Sequence, residues 1–171
     1  MRVSDLERLY DYSYWANKKL FGVVAQLTPE QFTQSIAGGS GSYGSIRNTL
    51  VHVLSAEWGW LDRCGGAKRG ERLNPEDYPT VESLVRAWTK VESYMRDFLS
   101  GLEDEALTQE IEFAIGGGPK QSIPLEDLMQ HAAVHAVHHR GQVALLLRTF
   151  GYVPGDFDVV IYAEEKHRSP A

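Results

Sequence analysis

A neutral imidazole offers one nitrogen lone pair, and histidine is the commonest protein ligand for transition metals. Four of the six histidines in this sequence fall within nine positions, in HAAVHAVHHRGQ at residues 131–142. On a wheel at about 100° per residue, Leu125, Leu128, Met129, Ala132, Ala136, Val143, Leu146, Leu147 and Phe150 form one apolar stripe. His139 lies about 40° from the centre of that stripe and His135 about 80°, so both border the buried face. His131 and His138 fall at about 120° and 140°, nearer solvent. The i, i+4 spacing of His135 and His139 lets two imidazoles converge on one ion from successive turns. Surface or core histidines share this spacing by chance, so a metal reading needs a third ligand. His167 lies in the polar tail and is a poor candidate. His52 lies off the main apolar stripe of its helix (Ile46, Leu50, Val53, Leu54, Leu61), on a side shared with Asn48, Ser55 and Gly59. That small polar face could line a pocket or simply be wet, and periodicity leaves the role of His52 open.

Other chemistries are excluded by what the motifs lack. Position 136 is alanine, so the glutamate base of a His-Glu-x-x-His protease is missing. No Glu-x-x-His pair suits a di-iron bundle, and there is no nucleophile elbow, phosphate loop or Cys-x-x-Cys. The net charge of −6 and the lack of a basic tract argue against duplex nucleic acid as a partner, and so against DNA repair proper. The single cysteine, Cys64, forbids an internal disulfide and reads as an incidental thiol without an activating neighbour. The charged N-terminus is no secretory signal, and no apolar run is long enough to span a membrane. A cytoplasmic location is expected.

The elements that must position the histidines are helical. Ser4 and Glu7 read as a capping box opening a first helix. Thr28-Pro29 with Gln31 opens a short helical turn, and AGGSGSYGS at residues 37–45 reads as loop. Ser45 caps a second helix that runs to about Arg63 and stops at Gly65-Gly66. Thr80 caps a third helix with the stripe Val81, Leu84, Val85, Trp88, Val91, Met95, Phe98 and Leu102. Alternation at Ile111, Phe113 and Ile115 before three glycines suggests a small β-hairpin. Pro124 is expected as the first residue of a fourth helix ending near Phe150. The tail is expected to pack once through Val159, Val160 and Tyr162 and to fray over 163–171. The whole chain, 1–171, reads as one all-α four-helix-bundle domain. The links between the first and second and between the third and fourth helices are long.

Nearly the whole chain resembles the DinB/YfiT-like superfamily. HAVHHRGQV is similar to its signature, YSYWANKKLF to its first helix, GSIRNTLVHVLSAEWGWL to its second, and LLLRTFGYVPGDFD to the end of its fourth. The resemblance implies a four-helix bundle with a long crossover, frequent homodimerisation, and a metal site at His52, His135 and His139. Three imidazoles leave a coordination position open, and they suit zinc, nickel or related divalent ions. The expected function is that of a metal-dependent enzyme in which a low-molecular-weight thiol or water attacks a small electrophilic substrate, as in thiol S-transferases, isomerases or hydrolases. The alternative is a non-catalytic, stress- or damage-inducible metal-binding dimer. His131, Glu57 and Gln142 are candidates for proton handling or for hydrogen bonds to the ligands. Glu57 reads equally as a solvated helix residue, and Arg140 as a structural ion-pair partner. Trp15, Trp58 and Trp60 read as core or interface aromatics.

Overall fold

The computed structural model of the protein describes residues 1–36 and 43–168. Most of the loop expected at 37–45, and positions 169–171 of the tail, lie outside the described residues. Helix α1 spans Val3–Val24 and begins just ahead of the expected Ser4 cap. The Arg2 amide donates to the Asp5 carboxylate (3.0 Å), which replaces the Ser4–Glu7 box. The short α2, Pro29–Thr33, opens with a reciprocal box between Thr28 and Gln31. Ser45 caps α3, Ile46–Arg63, and Thr80 caps α4, Val81–Ser100, each hydroxyl accepting from the amide three residues on. Strands β1 (Glu110–Phe113) and β2 (Gln121–Pro124) pair antiparallel, with Ile111 opposite Ile123. Pro124 closes β2, so α5, Leu125–Thr149, starts one residue later than expected.

The tail departs from expectation. It continues as helix α6, Val159–Arg168, where fraying was expected from 163. Val159 and Val160 stay exposed, and Tyr162 makes the contact, its ring 5.5 Å from that of Trp15 and 5.9 Å from that of Tyr12. The Trp15 indole N–H donates to Glu165 (2.7 Å), tying the last turns to α1.

Helix α1 packs on α5 and α4, and α3 also packs on α5 and α4. The order around the bundle is therefore α1–α5–α3–α4, and the chain steps diagonally from α1 to α3 and from α4 to α5. Two apolar clusters set the helix directions. One joins Leu20 and Val24 of α1 and Val143 and Leu147 of α5 to Ile46 and Leu50 of α3 and Leu84 of α4. The other joins Leu6, Leu125 and Met129 to Leu61, Met95 and Leu99. Helices α1 and α5 thus run one way and α3 and α4 the other. The links expected to be long join ends at the same pole of the bundle. The true crossover is 64–80, which must traverse the bundle because α3 and α4 are parallel. It runs back along α3: Trp58 donates to the Ala67 carbonyl (3.0 Å), Arg69 donates to the Ser55 hydroxyl (2.8 Å), and Glu76 pairs with Arg47. This segment covers Ser55 and Gly59, so much of the polar face of α3 is buried beneath the crossover rather than wet.

Glu57 also departs from expectation. The solvated reading fails, because Glu57 is 3% exposed and its Oε1 accepts from the Tyr14 hydroxyl (2.7 Å). The reason is visible in the stripe: position 57 continues Val53, Leu54 and Leu61 onto the buried face. Arg140 is also buried, and it donates to the Ser13 hydroxyl (3.0 Å) and to Asn17 Oδ1 (2.8 Å), neutral acceptors in place of the expected ion pair. No helix of the described residues is long and apolar enough to cross a membrane.

Burial pushes the Glu57 carboxyl up to about 7, opposed by the Tyr14 hydrogen bond and the Arg140 charge. A carboxyl raised on folding contributes stability that is fully present below its unfolded value and lost as pH rises through the folded one. The wild type should therefore lose on the order of 3 kcal/mol between about pH 4.5 and 7.5 through this residue. Urea titrations across that range should show the loss in the wild type and a flatter profile in Glu57→Gln.

Candidate metal centre

His52 comes from the middle of α3, and His135 and His139 come from successive turns of the antiparallel α5. The α3–α5 contact brings together residues 83 apart in sequence. His52 Nε2 and His139 Nε2 each lie 3.1 Å from His135 Nε2. One ligand nitrogen from each ring falls within 4.8 Å of the others. Two nitrogens about 2.1 Å from one ion at the tetrahedral angle are roughly 3.4 Å apart, so the spacing suits a shared first-row divalent cation.

The tautomers favour the same fit. His139 Nδ1–H donates to Gln142 Oε1 (2.6 Å), which leaves the lone pair of His139 on Nε2, facing His135. Gln142 is held in turn, because its amide donates to His138 Nε2 (3.1 Å). Only His135 can then supply the proton for its contact with His139. If it does, its Nε2 has no lone pair to accept from His52. At most one of the two 3.1 Å contacts can be a linear hydrogen bond while the rings are neutral. A cation at the point of convergence would use all three lone pairs.

The rings are kept neutral. Burial, then the neighbouring histidines, lowers both His52 and His135 to about 4, and burial lowers His139 while Gln142 opposes it. Neutral imidazole is the ligand form, so the site needs no proton released near neutral pH. Tyr43, at the edge of the loop before α3, stacks on His52 with ring centroids 3.9 Å apart and an interplanar angle of 23°. Its only warning in the sequence is an aromatic residue among glycines and serines beside a helix cap.

The remaining candidates separate. Gln142 joins the trio through His139. His131 is exposed one turn along α5, its ring 5.9 Å from that of His135 and edge-on to Trp60 at 5.1 Å. His138 points outward, as the wheel implies, but buttresses Gln142. His167 is exposed on α6, and Glu57 faces Tyr14 on α1, away from the α3–α5 groove. Trp15 and Trp58 make structural hydrogen bonds, and Trp60 packs on Phe113. The Cys64 thiol is pushed up to about 12 by burial, which leaves it protonated and inert.

Removing one donor should abolish stoichiometric binding, whereas removing the Gln142 support should weaken it. In calorimetric titrations of metal-free protein with zinc or nickel, His135→Ala should lose the one-ion stoichiometry. Gln142→Leu should retain it with affinity roughly 10–100-fold lower. Unchanged affinity in both variants would refute the ligand assignment.

The DinB family model matches residues 1–169. Protein DinB of Bacillus subtilis (strain 168) is 23% identical over 160 residues, which cover 91% of each chain. The crystal structure of a DinB-like protein from Bacillus cereus ATCC 10987 superposes with a TM-score of 0.72 at 24% identity, covering 91% of this chain and 97% of that one. A conserved protein from Enterococcus faecalis shares the fold at a TM-score of 0.58 and 16% identity, covering 86% and 96% of the two chains. With its bundle, its small hairpin and a family match across almost its whole length, this chain belongs to the DinB family.

Proposed function

We propose that the protein is a metal-dependent enzyme that holds a divalent cation, zinc or nickel, on His52, His135 and His139 and activates a small thiol or water for attack on a small electrophile. The observation that carries this reading is the convergence of three neutral imidazole nitrogens with too few protons to satisfy one another. When bound, the ion supplies a Lewis acid with a free coordination position, which lowers the pKa of a thiol or water placed there. The chain does the rest. Gln142 fixes the tautomer and rotation of His139, and the stacked Tyr43 restrains the His52 ring. His131 stands one turn along α5 from the trio with an exposed imidazole, placed to handle protons or to hydrogen-bond a bound molecule. A cytoplasmic setting suits this chemistry, because small thiols are kept reduced there.

The test is metal analysis of the purified protein, followed by turnover assays with several cellular thiols, and with water, against activated alkyl and aryl electrophiles. Metal-loaded wild type should turn over at least one pair, and His52→Ala and His139→Ala should lose that activity along with the metal. Full stoichiometric loading without turnover of any pair would leave the non-catalytic, stress-related alternative standing.

The homodimer belongs to the same proposal. Val134, Val137, Gly141 and Leu145 form an outward strip on α5, with Leu145 65% exposed and Val134 60%. Such a strip fits a second copy better than water. Light scattering should give twice the chain mass for the wild type and the monomer mass for Leu145→Lys.

A further inference from the structure

A depression of about 350 Å³ opens beside His131, one turn along α5 from the trio, and its lining includes Trp60, Phe113, Ile123, Asp127 and Leu128. We propose that this groove seats the uncharged aromatic limb of the small molecule whose reactive atom is held at the histidine trio; the proposal rests on the metal-centre reading above. Its volume and its mainly apolar lining, with Gln121, Asp127 and His131 as polar groups, are those of a small-molecule pocket rather than of a protein-docking face.

The groove joins the trio through His131, which forms part of its wall. His131, His135 and His139 are spaced four residues apart on one side of α5, and the His131 ring lies 5.9 Å from that of His135. One helical turn is about 5.4 Å, roughly the reach from a sulfur atom through two methylenes to the centre of a phenyl ring. The walls have the geometry that receives such a ring. Phe113 and His131 both stand edge-on to Trp60, with centroids 5.2 and 5.1 Å away and interplanar angles of 81° and 80°. A ring placed among them can make edge and offset contacts at once. The Arg63 guanidinium lies 5.1 Å from the Trp60 ring centroid and steadies the indole. Leu128 and Phe113 form a buried floor, and β2 contributes Ile123. The Asp127 carboxylate is exposed on the lining and disfavours a limb carrying negative charge.

The test uses cobalt-loaded full-length protein and two thiols, phenethyl mercaptan and ethanethiol. On binding, the S–H bond breaks heterolytically: the proton leaves to buffer, the electron pair stays on sulfur, and the thiolate-to-cobalt charge-transfer band reports occupancy. The wild type should bind phenethyl mercaptan about tenfold or more tightly than ethanethiol. Ile123→Trp, which fills the groove from an edge strand, should erase that preference while cobalt stoichiometry and ethanethiol affinity stay the same. Equal affinity for the two thiols in the wild type, or a preference that survives Ile123→Trp, overturns the proposal. A second measurement needs no metal. Phenethyl alcohol titrated into the metal-free protein should shift the NMR resonances of the Trp60 indole N–H and of Ile123 and Leu128. The absence of those shifts also overturns it. Failure to bind cobalt, with the groove shifts still present, would count against the metal centre instead.

Discussion

The antiparallel packing of α3 on α5 is the contact on which the rest of the molecule depends. It presses His52 against His135 and His139, and burial holds the rings neutral at a separation where they cannot all donate to one another. Three lone pairs facing one point are a poor arrangement for a protein alone and a good one for a cation. An ion held there would bind the folded chain in preference to the unfolded one, so loading the centre would be coupled to docking of the two helices.

That docking needs α5 to sit at a defined rotation, and apolar contacts alone specify rotation poorly. Arg140 supplies what is missing. It follows His139 directly, so its side chain leaves the helix about 100° away, toward α1. There Ser13 and Asn17 hold it with directional hydrogen bonds. Anchoring residue 140 on α1 aims residue 139 at α3. Across the bundle's diagonal, Tyr14 and Glu57 tie α1 to α3 in the same way. The charge that Glu57 must keep suppressed to remain buried is the cost of that registration.

The crossover 64–80 has the complementary task. Because α3 and α4 are parallel, this segment travels the length of the bundle, and it does so over the small-residue face of α3. A Cβ built on Gly59 would lie 3.0 Å from Arg69 Nη1, so a larger residue there would crowd the guanidinium. The hairpin looks incidental to a helical bundle, yet it walls an apolar recess beside the histidine row.

The chain itself determined what is local. Caps at Thr28, Ser45 and Thr80, the Gly65-Gly66 stop, the hairpin and the inward lean of His135 and His139 follow from hydrogen bonding and periodicity within single elements. Position 57 was legible in principle, since it continues the apolar stripe of α3, but its acidic side chain masked the pattern. His52 stayed undecided on periodicity and gained its place from the family resemblance, because a wheel shows which faces are apolar and not what lies opposite them. The partner of His52, the stack of Tyr43 on it, the path of 64–80, the helical tail and the neutral acceptors around Arg140 were decided only by tertiary structure. Each joins residues on different elements, and which element lies opposite is set by how all the buried faces pack together, a property that no single segment carries.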